Sequence, residues 1–135
     1  MVREADVTEP AAAPASGFSW RARGRSFRHA LRGLAALLAS QHNARIHVAL
    51  SLAVVGLGLV LGVSALEWAV LALAMGLVWA AECANTALEW LCDLVSPEYH
   101  PLVEKAKDVA AGGVLLAAIA AAAAGLLVLL PHFFR

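Results

Sequence analysis

Residues 46–81 read IHVALSLAVVGLGLVLGVSALEWAVLALAMGLVWAA, and the only formal charge in the run is Glu67. A helix needs about 20 apolar residues to cross a bilayer, so the run holds two crossings. The break falls at Gly62-Val63-Ser64-Ala65. Leu66-Glu67-Trp68 follows, a polar residue beside an aromatic of the kind that collects at membrane interfaces. Downstream, residues 109–134 carry no Asp, Glu, Lys or Arg, enough for a third crossing. The reading is an all-α chain with spans near about 44–63, 66–94 and 106–130.

Composition points the same way. The chain is 61% hydrophobic and 15% charged, where average soluble domains run about 45–50% and about 25%; its mean hydropathy is +0.75. A domain of 135 residues has too much surface to hide this many apolar side chains by itself. Ten Lys+Arg against ten Asp+Glu sum to zero, which argues against a nucleic-acid partner. The apolar content excludes a wholly disordered chain.

The zero hides a segregation. Arg21, Arg23, Arg25, Arg28, Arg32 and Arg45 precede or open the first span, Lys105 and Lys107 lie between the second and third, and the Ser64–Glu67 turn has no cation. The positive-inside bias therefore places the N-terminus and the 95–108 connection in the cytoplasm. Residues 1–18 read as a disordered tail without the apolar run of a secretory signal. Residues 19–40 read as an amphipathic helix lying on the cytoplasmic surface, because Phe27, Leu31, Leu34, Leu37 and Leu38 recur at spacings of three and four between the arginines. Residues 19–135 form one membrane domain.

The second span carries Glu82, Asn85, Thr86, Glu89 and Asp93. At about 100° per residue all five fall on one face. An unpaired charge near the bilayer centre costs at least about 2.5–3.5 kcal/mol, so this face must meet an interior, a cleft, a cation or a neighbouring subunit. A hydrogen-bonded helix seam suits one Asn or Thr. Three acids repel one another unless a cation intervenes, and carboxylates one or two turns apart suit a divalent metal, or a metal and a general base. Lys107 and Asp108 stand where Glu89 and Asp93 emerge, an arrangement suited to a polyphosphate. Neither G-x-x-x-x-G-K-[ST] nor G-x-G-x-x-G is present. Cys83 and Cys92 project from opposite helix faces and receive no role, and Gly112-Gly113 is expected to serve close helix packing.

The strings ECANTALEWLCD (82–93), SPEYHPL (96–102) and KAKDVAAGGVL (105–115) resemble the prokaryotic diacylglycerol kinase family, small three-helix membrane enzymes that include undecaprenol kinase. The likeness runs from SFRHA (26–30) through NARIH (43–47) to the end of the third span. It implies a homotrimer in the bacterial cytoplasmic membrane that transfers the γ-phosphate of ATP, with Mg²⁺, to the hydroxyl of a membrane lipid. By the resemblance, Glu82 is the general base with Asn85 beside it, and Glu82 and Arg45 meet the lipid. Glu89 carries Mg²⁺ to the ATP phosphates, Glu98, Tyr99 and His100 form a nucleotide-contacting loop, Lys107 and Asp108 lie near the phosphates, and His29 aligns with a further nucleotide contact. Gln41 stands where the family usually has a second metal-binding glutamate; its carbonyl is expected to ligate without charge. Undecaprenol is the first expected substrate and diacylglycerol the alternative. A non-catalytic membrane assembly protein, or a transport subunit, is the reading from other functional classes.

Overall fold

A computed structural model describes residues 19–134; the expected tail, 1–18, and Arg135 lie outside the described residues. The chain divides after Arg32 into two units, taken here in turn. In the first, helix α1 (Trp20–Ser40) begins behind Ser19, whose hydroxyl accepts the Ala22 N–H at 3.4 Å. Phe27 and Leu31 are exposed on it, as are Arg21, Arg25, Arg28 and Arg32.

The second unit holds the end of α1, then α2 (His42–Leu61), α3 (Ala65–Val95), α4 (Pro101–Leu129) and a closing 3₁₀ turn (Leu130–Phe133). Among the described residues there is no strand, and α2, α3 and the α4 region are each long and apolar enough to cross a membrane. Each junction is made by local chemistry. Gln41, in an extended conformation, separates α1 from α2. The Arg45 guanidinium folds back to donate to the carbonyls of Leu38 and Ala39 at 3.0 and 2.7 Å, serving two acceptors that the end of α1 would leave unpaired. Gly62 ends α2 at φ 66, ψ 41, a left-handed conformation that glycine adopts without a Cβ penalty. Ser64 and Glu67 then form a reciprocal capping box: Ser64 Oγ accepts the Glu67 N–H and Glu67 Oε2 accepts the Ser64 N–H. His132 Nε2 comes within 3.6 Å of Glu67 Oε1, joining the closing turn to this corner.

The helix α4 starts at Pro101 rather than near 106. Apolarity located the span but not the helix. Pro101 supplies a pre-set φ at the first position and the His100 ring accepts the Leu102 N–H at 3.2 Å, so Glu104, Lys105, Lys107 and Asp108 are helical rather than in the expected 95–108 loop.

The three spans meet along seven-residue repeats. Covered positions fall at 44, 47, 51, 54, 58 and 61 on α2, at 71, 75, 78, 82, 85 and 89 on α3, and at 110, 114, 117, 121, 124 and 128 on α4. This alternation of three and four is the pattern of helices crossing at a shallow angle. α3 and α4 make the most extensive contact, where α4 offers mainly alanine. The apolar part of the seam is closed by Val63, Leu71 and Leu129 with Trp68, Met75 and Val128 around them. Outward residues such as Val60 and Leu127 stay 84% and 79% exposed and require lipid or another subunit against them.

Close approach occurs at a glycine other than the expected pair. A Cβ at Gly112 or Gly113 would meet nothing within 4 Å, whereas one at Gly58 would lie 2.7 Å from Cη2 of Trp68. The benzo edge of the Trp68 indole comes against Gly58, and that approach depends on a tertiary neighbour that local sequence does not reveal. Gly58→Ala should lower the chain's unfolding free energy in detergent by about 1–3 kcal/mol, the usual range for overpacking. Adding Trp68→Phe, which shortens the ring, should return part of the loss, as thermal or denaturant unfolding of both variants will report.

Candidate active site

The seam that is Leu71, Met75 and Val78 in the first half of α3 becomes Glu82, Asn85 and Glu89 in the second. Glu82 and Thr86 are each 2% exposed and Asn85 8%, while Glu89 is half-buried. The expected polar face therefore turns inward from Glu82 to Glu89, while Asp93, its last member, is exposed. Burying such groups is costly unless each finds a partner, yet Glu82 Oε2, Asn85 Oδ1 and Thr86 Oγ1 are buried without a hydrogen bond.

Glu89 is held from both sides. Asn85 Nδ2 donates to its Oε1 and Gln41 Nε2 to its Oε2, each at 3.1 Å. Gln41 thus reaches the carboxylate expected to bind the metal, but as an amide donor. A glutamate at position 41 would set two carboxylates face to face, a pair that needs a cation between them; glutamine satisfies Glu89 without one. Among the described residues no three His, Cys, Asp or Glu side chains gather as a metal cluster. What the site offers a divalent cation is the Glu89 carboxylate and the unpartnered Asn85 Oδ1. Such oxygen donors suit Mg²⁺, which takes few protein ligands when substrate phosphates and water complete its shell.

A cleft of about 290 Å³ opens on these groups, with Glu82, Asn85 and Glu89 on one wall, Asn43 and His47 on another, and Ala111 and Val114 of α4 opposite. His47 Nε2 lies 4.0 Å from Glu82 Oε2. Its ring stands edge-on to Trp79, 6.2 Å between centroids, and the indole N–H of Trp79 donates to Ser51 Oγ one turn beyond His47. An apolar groove of about 490 Å³ runs on from the cleft, sharing His47 and Ala118 with it and continuing between Leu50, Val54, Val78 and Leu129.

The remaining expected residues stand elsewhere. Lys107 Nζ pairs with Asp93 Oδ1, so the last acid of the stripe holds the lysine at the mouth of α4; Asp108 is exposed beside it. Tyr99 donates to Glu104 at 2.7 Å. That bond holds the Tyr99 phenol above its ordinary value. His100 caps α4, and Glu98 is exposed with its carbonyl accepting from Ser96. Arg45 clamps the end of α1 rather than lining the cleft. His29 belongs to the first unit and is exposed on α1. Cys83 and Cys92 are free thiols.

Asn43 and His47 received no individual role from the sequence, although both lie in the NARIH string. A signal existed: His47 and Ser51 are polar residues one turn apart inside an apolar span, the spacing of a shared interior face. Asp93 as the partner of Lys107 required knowing where α4 begins.

The sequence profile of the prokaryotic diacylglycerol kinase family matches residues 28–129. The undecaprenol kinase of Bacillus subtilis is 37% identical over 107 residues, covering 79% of this chain and 87% of that protein. A diacylglycerol kinase of Synechocystis sp. is 49% identical over 107 residues, covering 78% of this chain and 61% of its own length. A diacylglycerol kinase of Helicobacter pylori matches over 51 residues at 39% identity, 38% of this chain and 40% of that protein. With three membrane-length helices closing on a cleft of carboxylates, the chain belongs to the prokaryotic diacylglycerol kinase family and is a multi-pass membrane lipid kinase.

Proposed function

We propose that the chain transfers the γ-phosphate of ATP to the hydroxyl of a membrane lipid alcohol, undecaprenol first, with Glu82 as general base. The observation that carries this reading is the Glu82 carboxylate, 2% exposed and with an unpartnered oxygen, in the polar cleft 4.0 Å from His47, where cleft and apolar groove meet. A buried carboxylate with an unpartnered oxygen has an acceptor free for the substrate hydroxyl, the geometry that general-base catalysis requires. The groove accommodates the hydrocarbon chain, which brings the hydroxyl to Glu82. Glu82 accepts the hydroxyl proton as the lipid oxygen bonds to the γ-phosphorus, the bond to the β-phosphate oxygen breaks, and ADP departs. Phosphoryl transfer asks the protein chiefly for position and charge. Glu89, oriented by Gln41 and Asn85, is the metal-facing carboxylate. Mg²⁺ bound there supplies positive charge to the ATP phosphates.

Lys107, released from Asp93 when nucleotide arrives, turns its ammonium to the phosphates, and Asp108, Glu98, Tyr99 and His100 are further nucleotide contacts. Arg45 contributes to lipid binding through the α1–α2 corner that it fixes. The arginine-rich α1 lies on the cytoplasmic surface, the Ser64–Glu67 turn faces outward, and three copies assemble in the bacterial cytoplasmic membrane; the cation distribution and the uncovered outer faces of the spans support this arrangement. Diacylglycerol is the second reading, favoured by the 49% identity to the Synechocystis protein.

Undecaprenol and diacylglycerol offered side by side with MgATP to one purified preparation should yield phosphorylated undecaprenol in excess. Exclusive phosphorylation of diacylglycerol selects the second reading. Glu82→Gln should lower kcat by about 10²–10⁴-fold, the usual contribution of a general base, and near-normal turnover removes that role from Glu82. Gln41→Glu should lower the half-saturating Mg²⁺ concentration by about tenfold, because ligand charge sets affinity for a hard cation. A Mg²⁺ titration of activity reads this directly.

A further inference from the structure

We propose that His47 is a positioning residue for Glu82: its Nε2–H occupies the vacant hydrogen-bonding position at Glu82 Oε2 and fixes the carboxylate with its other oxygen toward the substrate hydroxyl. The proposal rests on Glu82 acting as the base. Three observations converge on it. The Glu82 oxygen that faces His47, 4.0 Å away, is the one buried without a partner. His47 is itself only 13% exposed, in the second turn of α2, where a covered polar ring is costly without a partner. Its ring is also bracketed: Trp79 stands edge-on at 6.2 Å and is pinned in turn by its hydrogen bond to Ser51, so two helices hold the imidazole in one orientation.

A movement of about 1 Å closes the gap to hydrogen-bonding distance. His47 and Ala118 are the two residues common to cleft and groove. A lipid chain filling the groove therefore contacts the imidazole, and closure of the pair accompanies substrate entry. No proton leaves His47 in this scheme. The Nε2–H donates throughout, while the proton from the lipid hydroxyl goes to Glu82.

The test uses the full chain purified in detergent with radiolabelled MgATP and whichever of undecaprenol or diacylglycerol the unmodified chain phosphorylates. His47→Phe keeps a ring beside Trp79 and loses the donor; His47→Gln keeps an N–H near the position of Nε2. The expected result for His47→Phe is a kcat at least about 30-fold lower, with KM for ATP and lipid within about threefold, as for an interaction made mainly in the transition state. His47→Gln should return to within about fivefold of the unmodified chain. On the Glu82→Gln background, His47→Phe should cost less than about twofold more, because a residue acting only through Glu82 has nothing left to position.

A kcat for His47→Phe within about threefold of the unmodified chain overturns the proposal, as does a glutamine variant no better than phenylalanine, or losses that multiply in the double variant. Where His47→Phe does not fold, His47→Leu is held to the same thresholds. Near-normal activity of Glu82→Gln overturns the general-base reading itself. A disabled Glu82→Gln with a fully active His47→Phe overturns only the role of His47.

Discussion

The helical seam of the second unit is organised around a carboxylate that the bilayer disfavours. Glu82 sits on the covered seam of α3, one position in a seven-residue repeat that elsewhere reads Leu71, Met75 and Val78. Apolar side chains there are stabilised by packing alone, whereas a buried acid with an unpartnered oxygen raises the energy of the folded state. Such a group is expected where its reactivity is used, since functional sites are where proteins carry locally destabilising features. The shape of the second unit follows from hosting it. The small residues of α4 leave a cleft opposite the acids, α2 brings amide and imidazole groups to the other wall, and the α1–α2 corner delivers Gln41 to Glu89.

The same constraint accounts for the order of polarity along the helices. Where the seam is apolar, Val63, Leu71 and Leu129 close it. Where it turns polar, the partners become directional: Asn85 and Gln41 on Glu89, Trp79 on Ser51, Lys107 on Asp93. The two regimes meet at His47, which belongs to cleft and groove alike. A lipid kinase needs such a junction, because its substrate has a reactive hydroxyl at one end and hydrocarbon along the rest.

Much of this was legible in the sequence, and the physics explains which parts. The spans follow from bilayer thickness and the inward stripe from helical periodicity, both properties of one segment at a time. Glu82, Asn85, Thr86 and Glu89 could be placed on a shared face from spacing alone, and so they lie. The start of α4 was hidden because Pro101 and the His100 cap act on backbone geometry rather than hydropathy. Gly58 against Trp68, Lys107 on Asp93 and His47 opposite Glu82 each depend on a residue from another element or a distant turn. Gln41 was recognised as a departure from the family pattern, but its use as a donor to Glu89 emerged only with the fold.

The central claim is that the buried acids of α3 serve chemistry and not assembly. If so, replacing them by neutral amides of the same shape relieves the cost of their burial. The direct measurement is the unfolding midpoint in detergent of the double variant Glu82→Gln, Glu89→Gln against the unmodified chain. The account predicts a midpoint equal or higher, in a protein that no longer makes phosphorylated lipid. A midpoint that falls sharply while lipid phosphorylation continues would contradict it and make the acidic stripe a structural seam.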